Sequence, residues 1–209
     1  MDNRVIKNNL LIWIEKNVWI IMFIVLFFCI GVVLGSYTVK YMNAYNSENL
    51  YNYFVLFSQN ITAKSFNSKE LILEAVRNNL LIIAAIWALG FTVIGVPVIL
   101  LLNMIKGYTF GFAFYFILAF WEKKAFAMAV VSLVPHNFIY ISCIIIISVY
   151  SFRLSLDKWK VKMSRSPQNS NKAITGYLYS FVIILLLMFF GILIETIITP
   201  GIIRYMISG

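Results

Sequence analysis

The chain has 209 residues, of which 62% are hydrophobic and only 12% charged, against roughly 25% charged in typical soluble domains. That balance excludes an ordinary soluble domain and points to a protein that crosses a membrane several times. On such a chain a net charge of +9 reports topology and attraction to anionic headgroups. Nucleic acid is excluded as a partner, because no soluble basic face is present to carry it.

The N-terminal tail carries Arg4, Lys7, Glu15 and Lys16, and an uncharged run of 22 residues follows, Val18 to Val39. About 20 residues suffice to cross the hydrocarbon core. A secretory signal would have an apolar core of only about 7–15 residues, so an uncleaved first helix over 18–39 is expected. Gly31 and Gly35 form a G-x-x-x-G pair, which permits close approach of a second helix.

Residues 40–77 are the first polar segment. Within it Leu50, Phe54, Phe57 and Ile61 recur at helical spacing, beside Tyr53 and among polar residues. This predicts a short amphipathic helix. Three uses fit it: lying on the membrane surface, binding a partner, or covering the protein's own top. Asn67-Ser-Lys-Glu70 has the form of a capping box and predicts the start of a helix that runs into the membrane.

A second uncharged run, Asn78 to Ile105, is interrupted by Gly90, Gly95 and Pro97 and carries Asn103. Lys106 then separates it from Gly107–Trp121, which contains Gly111. The charge predicts a short turn at Lys106 between spans over 79–104 and 107–121. Only 15 residues make up the latter, a rise of about 22 Å, so a re-entrant pair is the alternative. Gly95, Pro97, Gly107, Gly111 and Pro135 are the expected helix-break and packing positions.

A fourth span is expected over 125–152, with Pro135-His136-Asn137 near its middle, and a fifth over 174–198, ending in Glu195. Between them, residues 153–172 hold Arg153, Lys158, Lys160, Lys162, Arg165 and Lys172 against Asp157 alone. Positive loops stay cytoplasmic. The reading is therefore one all-α integral membrane domain of about five helices. Its N-terminus and basic loop are cytoplasmic, and its 40–77 segment and C-terminus lie outside.

No catalytic set stands out. Ser132 precedes the single histidine, His136, by one turn, without the surroundings of a nucleophile elbow. A catalytic zinc needs three protein ligands, and neither the scattered acids nor Cys29 and Cys143 have such spacing, so no metal or cofactor is expected. Asn103, Lys106, His136, Asn137 and Glu195 are the polar residues at membrane depth. Such groups face the bundle interior and are functional candidates.

Trp87-Ala-Leu-Gly-Phe-Thr-Val-Ile-Gly-Val-Pro97, then Lys106-Gly107 and Gly111-Phe112, then Val131-Ser-Leu-Val-Pro135-His-Asn137, in that order and spacing, resemble stage II sporulation protein M. The closing Glu195…Pro200 fits as well. The resemblance implies a multi-pass protein of the mother-cell and septal membrane, acting in forespore engulfment. It implies a scaffold without catalytic activity that assembles and localises peptidoglycan-degrading enzymes, stage II sporulation proteins D and P. The outer residues Leu50, Tyr53, Phe54, Phe57 and Ile61 are the expected partner contacts, beside the lipid bilayer itself, and the exposed helix faces also allow a homo-oligomer. His136 in the Pro-x-Asn slot resembles the wider superfamily, which includes export and circular-bacteriocin immunity proteins. A subunit of such a system, or a small transporter component, is the alternative.

Overall fold

A computed structural model describes residues 3–62, 68–120, 125–164 and 171–198. They form six helices: α1 (Asn3–Lys40), α2 (Ala44–Thr62), α3 (Ser68–Leu89), α4 (Gly95–Phe120), α5 (Ala125–Ser164) and α6 (Asn171–Leu193). A π-helical turn, Ile194–Ile198, closes the described chain. Among the described residues four stretches are long and apolar enough to cross a membrane: Ile14–Lys40, Gly95–Ala119, Leu133–Met163 and Thr175–Thr196. A fifth apolar stretch, Ala75–Leu89, is shorter. Asn67 of the expected capping box lies outside the described residues, although α3 does begin at the next position.

The expected turn at Lys106 is not there. α4 runs unbroken through Lys106, and the chain reverses at Gly90–Ile94 instead. There the helix tightens as it ends: Gly90 N–H is shared between Ile86 O and Trp87 O, and Phe91 and Thr92 donate to Ala88 O and Leu89 O. Gly95 packs against Leu89 O and Ser155 Oγ, leaving no room for a side chain. Pro97 falls in the first turn of α4, where a missing N–H costs no helical bond. Gly95 and Pro97 therefore start a helix, and the charge at 106 is met by another helix without leaving the bundle. The elements expected over 79–104 and 107–121 are one short helix and one full-length helix, divided some 12 residues earlier.

α5 is the central element. More than half of its spanning stretch is buried, 56% against 17–28% for the other three. Its cluster of Tyr140, Cys143, Ile144 and Ile147 packs with Ile83 and Ile86 of α3, Ile99 of α4, and Ile184 and Met188 of α6. Pro135 lies inside α5 without ending it.

Three serines on one face of α5, Ser148, Ser151 and Ser155, are wholly buried and form its polar seam. Ser148 Oγ accepts from Asn103 Nδ2 of α4 at 2.8 Å. Ser151 Oγ meets Tyr177 OH of α6 at 2.7 Å. Ser155 Oγ donates to Thr92 O in the turn at 2.7 Å. Small side chains let neighbours approach, and the hydroxyls then hold them. Tyr177 OH also donates to Trp87 O at 2.6 Å, tying α3, α5 and α6 at one level. Tyr177→Phe leaves two buried groups without this partner and should cost about 1–3 kcal/mol. Thermal unfolding of the purified protein should show this as a drop of roughly 5 °C; an unchanged midpoint would mean the hydroxyl bridges nothing.

α1 lies against α4 through paired glycines. A Cβ at Gly31 or Gly35 would meet the α4 backbone at Met104 and Tyr108, and one at Gly107 or Gly111 would meet the α1 backbone at Phe28 and Val32. Both G-x-x-x-G pairs belong to this one interface. At its far end Arg153 Nη1 of α5 donates to Asn17 Oδ1 of α1 at 3.2 Å, and Lys158 Nζ donates to Phe91 O at 3.0 Å. The start of α1, the 90–94 turn and the end of α5 therefore share one end of the bundle, the basic end.

Candidate functional site

Apart from the serine seam and the Asn17–Arg153 contact, the polar side chains of the interior gather in two places among the described residues. Asn103 forms the first, donating to Ile99 O at 2.7 Å and to Ser148. It is fully buried, and its Oδ1 has no hydrogen-bond partner among the described residues. This is a bracket between α4 and α5.

The second gathers charges. Lys106 on α4 donates to Asn79 Oδ1 of α3 at 2.6 Å, and Asn79 Nδ2 donates to Ala75 O at 3.1 Å. Asn79 lies 11 residues before the 90–94 turn and Lys106 12 after it, about 17–18 Å along their helices. That is close to half the hydrocarbon thickness of about 30 Å. Tyr140 OH of α5 donates to Glu195 Oε2 of the π turn at 2.7 Å. One turn back, His136 packs edge-on against the Tyr140 ring with centroids 5.9 Å apart. Asn137 Nδ2 donates to Leu133 O and stands 3.1 Å from His136 Nε2. His136 Nδ1 is buried without a hydrogen-bond partner among the described residues. Glu195 lies near enough for its charge to reach Lys106 and His136, without a hydrogen bond to either among the described residues. Four elements thus contribute to one set: α3, α4, α5 and the π turn that carries Glu195.

Of the residues expected at membrane depth, Lys106, His136, Asn137 and Glu195 come together, while Asn103 stands apart. Asn79 and Tyr140 belong to the set and carried no sequence signal of their own: Asn79 reads as the polar edge of a run, and Tyr140 as one more aromatic. The serine seam had a signal, the spacing 148, 151, 155, which marks one helix face. Pro135 does not govern the site directly, since Asn137 serves Leu133 O. Among the outer residues Leu50 is half-buried, and the side chains of Tyr53, Phe54, Phe57 and Ile61 lie outside the described ones.

Chemically the cluster is a cross-brace. One cation, one carboxylate and their polar neighbours are held within the bundle by hydrogen bonds between helices, which is how ionisable groups persist at membrane depth. Among the described residues no three His, Cys, Asp or Glu groups are placed to hold a metal ion. Cys29 and Cys143 are both free thiols.

The family model for stage II sporulation protein M matches residues 24–200. The chain belongs to the stage II sporulation protein M family. The matched stretch takes in the glycine-paired α1–α4 interface, the 90–94 turn, the serine seam and Glu195. Membership makes this a sporulation-related protein, and its apolar helices make it a multi-pass membrane protein. The family is not known as one of enzymes. No curated protein and no solved structure matches the chain.

Proposed function

We propose that the protein is a non-enzymatic membrane scaffold. It assembles and localises the peptidoglycan-degrading stage II sporulation proteins D and P in the mother-cell septal membrane, for septal thinning and engulfment. Family membership over residues 24–200 carries this reading. His136 and Tyr140 are buried, while Lys106, Asn137 and Glu195 are half-buried.

The basic end faces the cytoplasm on this reading, by the charge rule, and α2 lies on the outer side, where the hydrolases act. Tyr45 and Leu56 of α2 are exposed, Leu56 by 60%. Leu50, Tyr53, Phe54, Phe57 and Ile61 supply the apolar stripe for the partners. The test is co-purification of proteins D and P with a Phe54→Ser/Phe57→Ser variant. At least a tenfold loss of bound hydrolase is expected, with the variant's thermal midpoint unchanged. Undiminished capture by a folded variant would reject the stripe as the contact.

A further inference from the structure

The basic end carries side chains that helix packing does not use. α5 has 40 residues and is about 60 Å long, twice the hydrocarbon core. Its buried face ends at Ser155, and two residues earlier the Arg153 guanidinium is held by Asn17. Lys158 is also engaged, on Phe91 O and 5.2 Å over the Phe91 ring. The next five residues, Trp159 to Met163, are all exposed. Trp159 is 50% exposed and Met163 73%. Lys160 and Lys162 have no ion-pair or hydrogen-bond partner among the described residues. On the facing helix Lys16 is exposed beside Asn17, and Trp19 is 75% exposed one turn along.

Depth decides what can meet these groups. Trp159 lies four residues past Ser155, the last buried residue of α5, about 6 Å further along the helix. The headgroup zone occupies roughly the first 5–8 Å outside the hydrocarbon. The tryptophan therefore stands at headgroup level, where amphipathic rings settle, with the two lysines beside it. Topology alone accounts for basic residues here. It does not account for Trp159, Val161 and Met163 alternating with lysines on an exposed helix end. Water would be a poor solvent for those three apolar groups. A lipid surface takes them into the interface and places phosphates against the ammonium groups.

We infer that the α5 end, Trp159–Met163 with Lys16, is a binding surface for anionic phospholipid headgroups. The lysines supply the charge, and the tryptophan and methionine set the depth. Two like charges at this depth give a preference of about 30-fold for anionic over zwitterionic lipid, about fivefold from each.

The purified full-length chain, titrated with phosphatidylglycerol or phosphatidylcholine of equal chain length, should retain phosphatidylglycerol preferentially when bound lipid is counted by native mass spectrometry. Lys160→Gln/Lys162→Gln should lose that preference about 30-fold. Lys40→Gln, at the opposite end of α1, should leave it intact, and glycerol phosphate at the same concentration should not compete. Equal retention of the two lipids, or undiminished preference in the double variant, would overturn the assignment. So would an equal loss in Lys40→Gln, which would reduce the effect to net charge, or competition by glycerol phosphate, which would make the site one for free phosphate. An acidic soluble protein whose capture depends on the two lysines, with lipid retention unaffected, would replace the lipid as occupant.

Discussion

Gly107→Val is expected to lower the thermal midpoint of the purified protein by about 10 °C. The interface it enters is between backbones. A Cβ at Gly107 would fall on Phe28 O, with Phe28 C and Cα at 3.0 and 3.2 Å. No rotamer change relieves a clash with a main chain, so α1 must shift away from α4. Overpacking costs about 1–3 kcal/mol where side chains can yield, and here the upper end or more applies. For a chain of this size each kcal/mol moves the midpoint by roughly 2–4 °C. Gly31→Val approaches the same interface from the other side, where Met104 O stands against it and Tyr108 N lies 2.8 Å away, and should match Gly107→Val in size. The control is Gly176→Ala on α6, where a Cβ meets nothing within 4 Å. Replacing a helical glycine there should be neutral or stabilise by up to about 1 kcal/mol. If Gly107→Val melts with the parent, α1 and α4 do not pack as described.

Lys106→Met and Glu195→Gln are each expected to cost about 2–3 kcal/mol, and the double variant at least about 1 kcal/mol less than their sum. Lys106→Met keeps the length of the stem but removes the cation and the bond to Asn79 Oδ1. Glu195→Gln keeps an acceptor for Tyr140 OH and removes the carboxylate charge. Either change alone leaves the other half-buried charge without the opposite charge nearby, an imbalance of the kind that makes broken pairs expensive. Removing both relieves that penalty. Groups sharing one network show coupling of about 0.5–3 kcal/mol. Denaturant or thermal unfolding of the four proteins in one detergent measures the cycle. Additivity within about 0.5 kcal/mol would show that the two charges do not act on each other.

Much of this architecture was legible because a bilayer imposes a strong pattern. The run Val18–Val39 falls inside α1, and Ala173–Ile194 coincides closely with α6. Lys106 was misread for a physical reason. A charge between two apolar runs usually marks a loop, and nothing nearby in the chain answers it. Its partner Asn79 is 27 positions away, a distance that only folding closes. The same holds for Tyr140, whose partner Glu195 is 55 positions off. Gly31/Gly35 and Gly107/Gly111 were each visible as motifs, but that they face each other follows only from the chain reversal at Gly90–Ile94. The serines at 148, 151 and 155 hid in an apolar run because a small hydroxyl barely changes its hydropathy. Each binds a different element, so the spacing shows the face and not the partners.

On the proposed function, this family member positions wall-degrading enzymes and performs no cleavage itself. Bilayer discs carrying the purified chain, mixed with stage II sporulation proteins D and P and with isolated peptidoglycan, test it most directly. Both enzymes should be retained on the discs, and soluble peptidoglycan fragments should form only when at least one of them is present. Fragment release by the chain alone, or discs that retain neither enzyme, would contradict the account.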